Sequence, residues 1–194
     1  VDAFKRKEVY ASTGPRIRLR FFGGFDFHAE DANASDLAAA GYSKGVSMGG
    51  DLKPTGNKAP SFLIAASKDP NGANLDRLQI VKGWLDKDGK AREKVFDVAL
   101  SDDRIDGSTP VGNTVDLATG KYANTIGDPE LMTVWTDTEF DASQHAFYYV
   151  RVLEIPTPRY SLLDSIALGI DWRDTERPAT IQERAYSSPI WYTP

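Results

Sequence analysis

The sequence predicts a mainly β chain: an antiparallel β-sandwich with long loops and a short N-terminal helix remnant. Three observations predict it. Several segments, 16–22 and 94–100 among them, alternate apolar and polar residues with the two-residue period of a half-buried strand. Clusters of Gly, Asp, Asn and Pro punctuate those segments as turns. Stretches with helical periodicity are few and short, so the apolar strand faces have to bury against one another.

Composition sets the bounds. The 194 residues suffice for one good-sized domain, or a domain with an appendage. Hydrophobic residues make up 41% and aromatics 11%, enough for a packed core and against disorder. The net charge of -5 is spread along the chain, which argues against a nucleic-acid partner, where a basic face is expected. There is no cysteine, so disulfides, thiolate metal sites and a cysteine nucleophile are excluded. That absence fits either redox compartment and leans toward a periplasmic or exported protein that avoids stray pairing. No apolar run approaches the roughly 20 residues of a membrane-spanning helix.

Taken in order, residues 2–10 carry Phe4, Val9 and Tyr10 among charged residues and read as the last turns of an amphipathic helix already under way. Gly14-Pro15 stops it, because proline disfavours helix in the residue before it. The first strand spans 16–22, with Ile17, Leu19 and Phe21 on one face and Arg16, Arg18 and Arg20 on the other. Gly23-Gly24 breaks it. Residues 36–40 are alanine-rich and make a helical turn or two, after which Gly41, Gly45 and Gly49-Gly50 impose turns. Residues 61–66 alternate as a strand, and the turn Asp69-Pro70-Asn71-Gly72 follows.

The clearest hairpin has its outgoing strand around Leu78 and Ile80, its turn at Asp86-Lys87-Asp88-Gly89, and its return strand at 94–100. Gly89 supplies the positive φ that such turns require. Residues 101–112 are a polar loop, 113–117 a short strand, and 131–137 another strand. Residues 146–155 form the longest apolar run, apolar on both faces, and read as a central strand covered on both sides. Pro156 and Pro158 end it. Residues 160–180 read as a loop with local structure, within which 161–168 could make a short helix. Residues 181–186 read as a locally paired segment, and the aromatic, proline-bounded tail as a final edge strand.

Chemistry-bearing constellations are sparse. The alternating arginines read as a solvated or interface face rather than an anion site. Asp26, His28 and Glu30 would share a face of a strand and could hold a hard or borderline cation if His145 joined them, but they read first as a polar loop after Gly23-Gly24. Asp86–Asp88 with Glu93 lacks the ligand spacing of a calcium loop, and a hairpin turn accounts for it. Ser12, Thr13, Ser187 and Ser188 have no histidine at nucleophile spacing. Ser12-Thr13-Gly14 lacks the lysine and helix of a phosphate loop. Arg159, behind the rigid Pro156-Thr157-Pro158, is a candidate anion clamp, although an ordinary salt bridge is the commoner use of such a residue. Trp84, Trp135, Tyr148, Tyr149, Trp191 and Tyr192 read as core and interface anchors. Were they exposed in a line, they would mark a carbohydrate- or protein-binding module instead.

Four stretches then carry a resemblance: residues 7–17, with Tyr10-Ala11-Ser12-Thr13-Gly14-Pro15; residues 76–84; residues 147–159, ending Pro156-Thr157-Pro158-Arg159; and Ser188-Pro189-Ile190-Trp191-Tyr192. Together they resemble the C-terminal part of a bacterial family known only as domain of unknown function number 3604. One departure is Arg159-Tyr160, where the family often has Arg-Trp.

The resemblance implies that a PHP-type metallohydrolase domain, with its His and Asp/Glu ligands for divalent metals, precedes the Tyr10–Pro15 turn. On that reading residues 1–15 are the tail of the upstream domain and its linking turn, and 16–194 are the C-terminal β-sandwich. The sandwich is then a non-catalytic partner of the upstream domain, with no catalytic residue, metal ligand or cofactor of its own. Arg16 and Arg159 are the residues that would touch an anionic substrate at its rim.

Overall fold

The computed structural model describes residues 1–194. Strands β1 Tyr10–Ser12, β2 Arg18–Gly24, β3 Gly45–Ser47, β4 Asp51–Leu52, β5 Ser61–Ser67 and β6 Leu75–Leu85 come first. They are followed by β7 Ala91–Leu100, β8 Glu130–Thr136, β9 Ala146–Glu154, β10 Thr157–Pro158, β11 Thr180–Ile181, β12 Arg184–Ser187 and β13 Ile190–Tyr192. Three α-helices interrupt them, α1 Asp2–Lys5, α2 Leu37–Lys44 and α3 Tyr160–Leu168. No helix is long and apolar enough to cross a membrane.

The strands make two antiparallel-dominated layers, consistent with the predicted β-sandwich. The larger sheet is built around β9. On one side β9 pairs with β6, which pairs in turn with β7. On its other side β12 and β13 lie end to end, and each carries a further short strand, β1 and β4 respectively. The β13–β4 pairing is parallel and the others are antiparallel. The smaller sheet has the order β3-β2-β5-β8.

Alternation in the sequence sets which side chains meet between the layers. From the smaller sheet Ile17, Leu19, Phe21, Phe62 and Ile64 point inward, and from the larger sheet Leu78, Ile80, Tyr148, Val150 and Val152. The Phe62 and Tyr148 rings meet at 4.5 Å. Each such side chain contributes about 1.5–3 kcal/mol by leaving water. The outward arginines 16, 18 and 20 are exposed, as the period of two requires. A second, small core lies behind the smaller sheet. There Phe22 and Leu63 are covered by α2 and by the 3₁₀ turn Ala29–Asn33, through Phe27, Ala32 and Leu37.

Several elements depart from expectation. Gly23 and Gly24 continue β2 by pairing with both β3 and β5, so neighbours on both sides outweigh the weak strand preference of glycine. The helix expected over 2–10 stops at Lys5, and Tyr10 joins β1 opposite Ser187, because α1 buries no residue that would hold it. Gly41 lies within α2 rather than in a turn.

No strand forms over 113–117. Asn113 and Asp116 there bond the N–H groups of Val115 and Ala118 at 2.9 Å, replacing ladder partners with local turns. Within the stretch expected as a loop with local structure, the short-helix alternative over 161–168 is the one that forms, as part of α3 seated by the buried Leu162. The tail strand β13 is not an edge, since β4 pairs outside it. Finally, β9 is central within its sheet but buried on one face only; its outward Phe147, Tyr149, Arg151 and Leu153 are half-buried.

Candidate functional site

The joint between residues 9 and 16 is fastened at both ends. β1 pairs with β12, and the Ser188 N–H donates to the Val9 carbonyl at 2.9 Å. Thr13 closes the ladder twice: its N–H donates to the Arg184 carbonyl at 3.0 Å, and its Oγ1 accepts from the Arg184 N–H at 3.0 Å. The Thr13 hydroxyl also donates to the Glu183 carboxylate. Past Pro15, the Arg16 N–H donates to Asp69 Oδ2 at 2.8 Å, and its guanidinium lies 3.5 Å from the same oxygen. The Arg16 N–H first, and then the Asn71 N–H, hold the Asp69 carboxyl below the ordinary carboxylate range.

Glu154 lies at the end of β9, close to this joint. Its N–H donates to the Glu183 carbonyl at 2.9 Å. Its side chain is buried, 2% exposed, and Oε1 has no hydrogen-bond partner. Burial, then repulsion from Glu183 and Asp69, push its carboxyl up to about 7, with Lys68 offsetting part of the effect. The Lys68 ammonium is meanwhile committed to the carbonyls of Asp69 and Gly72, each at 2.9 Å. A carboxyl that titrates near 7 suits general acid–base work. This one is buried within the sandwich, so it is not placed to meet a substrate from solvent.

The two expected anion-binding residues occupy different settings. Arg16 is exposed and paired with Asp69. Arg159 precedes α3, where its N–H donates to Ala179 and its carbonyl accepts from Leu162 at 3.0 Å. Its guanidinium stacks 5.4 Å from the Tyr160 ring centre, and Nε is buried without a partner. No hydrogen bond or ion pair joins Arg159 to Arg16 or to a carboxylate.

The residues considered for a metal do not converge. Asp26 pairs with Lys58, and the His28 N–H donates to Asp31 Oδ2 at 2.9 Å as the 3₁₀ turn begins. His145 sits at the start of β9, its carbonyl accepting from Leu85 at 3.1 Å. No three His, Cys, Asp or Glu residues are grouped to hold a metal ion. Asp86 is a turn residue: its carboxylate accepts from the N–H groups of Asp88 and Lys90 and from Arg92.

Two open surfaces remain. The half of the smaller sheet not covered by α2 forms a groove of about 570 Å³ lined by Tyr10, Arg18, Arg20, Ala65, Met132 and Glu130. Neither Arg18 nor Arg20 has a carboxylate within ion-pair distance.

The outer face of the larger sheet carries the second surface, a run of rings. Trp191 meets Phe147 at 5.3 Å, Phe147 meets Tyr149 at 6.5 Å with planes 12° apart, and Tyr149 meets Tyr186 at 6.5 Å. Trp191 is 42% exposed, whereas Trp84 and Trp135 pack against the core. The tryptophans therefore divide between core anchoring and open surface. The sequence shows only that outward positions of β9 and β13 are aromatic, not that nothing covers them.

No curated protein and no solved structure matches the chain. A family model spans it from residue 1 to residue 194, and by that match the chain belongs to the family described as protein of unknown function, DUF3604.

Proposed function

We propose that this chain is a non-catalytic β-sandwich domain of a larger PHP-like, metal-dependent hydrolase, packed against a catalytic domain that precedes it and rimming that domain's active site. The observation that carries the reading is the state of the joint. Residues 9–13 are pinned into the larger sheet, while α1 just before them buries nothing and leaves Phe4 77% exposed. Beside the joint, the groove holding the unpaired Arg18 and Arg20 offers two cations to a neighbour. Burial of such a face against a second domain would give these groups partners.

The chemistry of the parent, on this reading, is hydrolysis of a phosphoester or similar ester by metal-activated water. The divalent metals belong to the upstream domain, and a periplasmic or exported setting goes with it. Arg16 and Arg159 are assigned to orienting the substrate anion. The test uses the polypeptide with its upstream sequence. Amide exchange at residues 2–8 and 18–20 should be slower there than in the 194-residue chain. Arg16→Ala with Arg159→Ala should raise KM for an anionic ester more than it lowers kcat. Equal exchange in the two forms would remove the packing, and unchanged kinetics would remove the arginine roles.

A second reading, a binding module, is favoured by one separate observation: Trp191 is half-exposed at the outer face of the larger sheet.

A further inference from the structure

The strand register places the rings of that outer face. Phe147 lies opposite Gly83 on one side and Trp191 on the other, and Gly83 in turn lies opposite Glu93. Tyr149 occupies the next outward position of β9, opposite Val81, which faces Val95. A side chain on Gly83 would start 2.3 Å from the tip of the Phe147 ring. The ring therefore leans across onto the neighbouring strand and occupies the space that glycine leaves. Tyr149, with its plane 12° from that of Phe147, continues the same surface. At the Trp191 end the face runs into an open pocket of about 580 Å³ bordered by Leu85, Glu93, His145 and Thr193. That volume lies within the range of small-ligand sites, about 300–1,000 Å³.

Cross-strand aromatic pairs and the covering of a strand glycine stabilise sheets without any ligand. What goes beyond that here is the surround. The Glu93 carboxylate, the Tyr149 hydroxyl and the Trp191 indole N–H make no hydrogen bond within the chain, and Glu93 lies near enough for its charge to act on the Tyr149 hydroxyl. Of the other charges bordering the face, Arg92 is ion-paired with Asp86 at 2.8 Å. Arg151 is held only through a neutral amide: it donates to Gln79 at 2.7 Å, and Gln79 donates to Asp97 at 2.7 Å. Asp51, opposite Trp191, is exposed without an ion-pair partner. The surface thus combines contiguous rings, of which Phe147 and Tyr149 are near-parallel and Trp191 is inclined at 50° to Phe147, with free hydrogen-bonding groups at their edge.

We propose that this face, centred on Trp191, Phe147 and Tyr149, binds a neutral oligosaccharide of pyranose units. The slightly positive C–H face of a pyranose complements the negative face of an aromatic ring. The equatorial hydroxyls then project sideways to Glu93, Tyr149 and the indole N–H. An anionic saccharide is disfavoured because the unpaired charges flanking Trp191 and Phe147, Asp51 and Glu93, are both carboxylates. The inference gives the binding-module reading its ligand and its residues, and it concerns a different sheet from the groove assigned to a neighbouring domain.

The test is affinity electrophoresis of the 194-residue chain in gels containing soluble neutral polysaccharides: a mixed-linkage β-glucan, a xylan and a galactomannan. Sedimentation of the free chain is measured alongside. Retardation in at least one gel is expected. Trp191→Ala and Tyr149→Ala should each weaken it about tenfold or more while the chain stays folded, its melting temperature falling by only a few degrees. Gly83→Ala, which lifts Phe147 without deleting a ring, should weaken it as well. Migration unaffected by every neutral polysaccharide overturns the proposal, and so does retardation that Trp191→Ala and Tyr149→Ala leave intact. If the chain self-associates through Trp191 and is not retarded, the face is a protein surface. The binding-module reading then stands and the saccharide does not.

Discussion

The Lys82 ammonium and the Asp137 carboxylate meet at 2.6 Å in the space between the two sheets. Lys82 comes from the inward face of β6 and Asp137 from just past the end of β8, so the pair spans the layers. Asp137 is 0% exposed. The Tyr148 hydroxyl donates to it at 2.7 Å, its Oδ1 accepts the Glu139 N–H at 3.0 Å, and Lys82 also donates to the Glu139 carbonyl at 2.9 Å. Burial and the nearby Asp137 charge push the Tyr148 hydroxyl far up, so it remains a donor at any working pH.

Removing one partner of this pair leaves a buried charge uncompensated. Lys82→Met should cost about 3–5 kcal/mol in urea unfolding. The double variant Lys82→Met with Asp137→Asn should lose less than the sum of the singles, because neither charge is then stranded. A Lys82→Met chain within about 0.5 kcal/mol of the parent would show that the pair contributes little.

Glu154 makes stability depend on pH with an unusual sign. Its carboxyl titrates near 4.5 unfolded and near 7 folded. Between those values the folded chain holds a proton that the unfolded chain has lost. Its contribution is therefore best at acid pH, declines as pH rises from about 4.5 through 7, and levels off above. The full shift corresponds to about 3 kcal/mol. Glu154→Gln should raise the melting temperature at pH 8 by about 5 °C or more and change it little at pH 5. Carboxylates with lowered values, such as Asp69, respond in the opposite direction at lower pH, so the difference between the two proteins isolates Glu154. Parallel melting curves for parent and variant from pH 5 to pH 8 would contradict the assignment.

Arg104 orders the loop after β7. It donates to the buried Asp76 carboxylate, to the Asp76 carbonyl at 2.6 Å and to the Ser101 carbonyl at 3.0 Å. Asp76 keeps Arg77 and Gln182 as further partners, so its charge survives the loss of Arg104. Arg104→Lys cannot reproduce the planar fork and should cost about 1–2 kcal/mol. The neighbouring Ile105, 99% exposed, should then be cut faster in limited proteolysis. Unchanged cleavage would place the order of the loop elsewhere.

Gly83→Ala should displace the Phe147 ring, because the new methyl would lie 2.3 Å from the ring tip. The cost should be about 1 kcal/mol, since a half-exposed ring has room to swing outward. In the parent, the Gly83 α-protons should resonate upfield beneath the ring, and Phe147→Leu should abolish that shift. Ordinary α-proton positions in the parent would exclude the leaning ring.

Much of the framework is legible in the sequence. The alternation of Ile17, Leu19 and Phe21 with three arginines places one set in the core and the other in water. The turn at Asp86–Gly89 joins β6 to β7 as expected. The functional surfaces were not legible to the same degree. Asp69, Glu154 and Glu183 are far apart in sequence and interact only because the Asp69 turn, the end of β9 and the start of β12 come together. Lys82 follows Leu78 and Ile80 on the inward face, but its burial makes sense only once Asp137 is known to lie opposite it.

What the sequence by itself determined is the β class, the facing of most strands and the resemblance that the family match supports. These depend on local periodicity, turn residues and contiguous motifs, which act over a few neighbouring positions. Only the tertiary structure decided that β9 is covered on one face, that β13 lies inside its sheet, and that Trp191, Phe147, Tyr149 and Tyr186 form one open surface. Burial depends on which layer, if any, packs above a residue. An apolar outward position reads the same in sequence whether another layer or water lies over it.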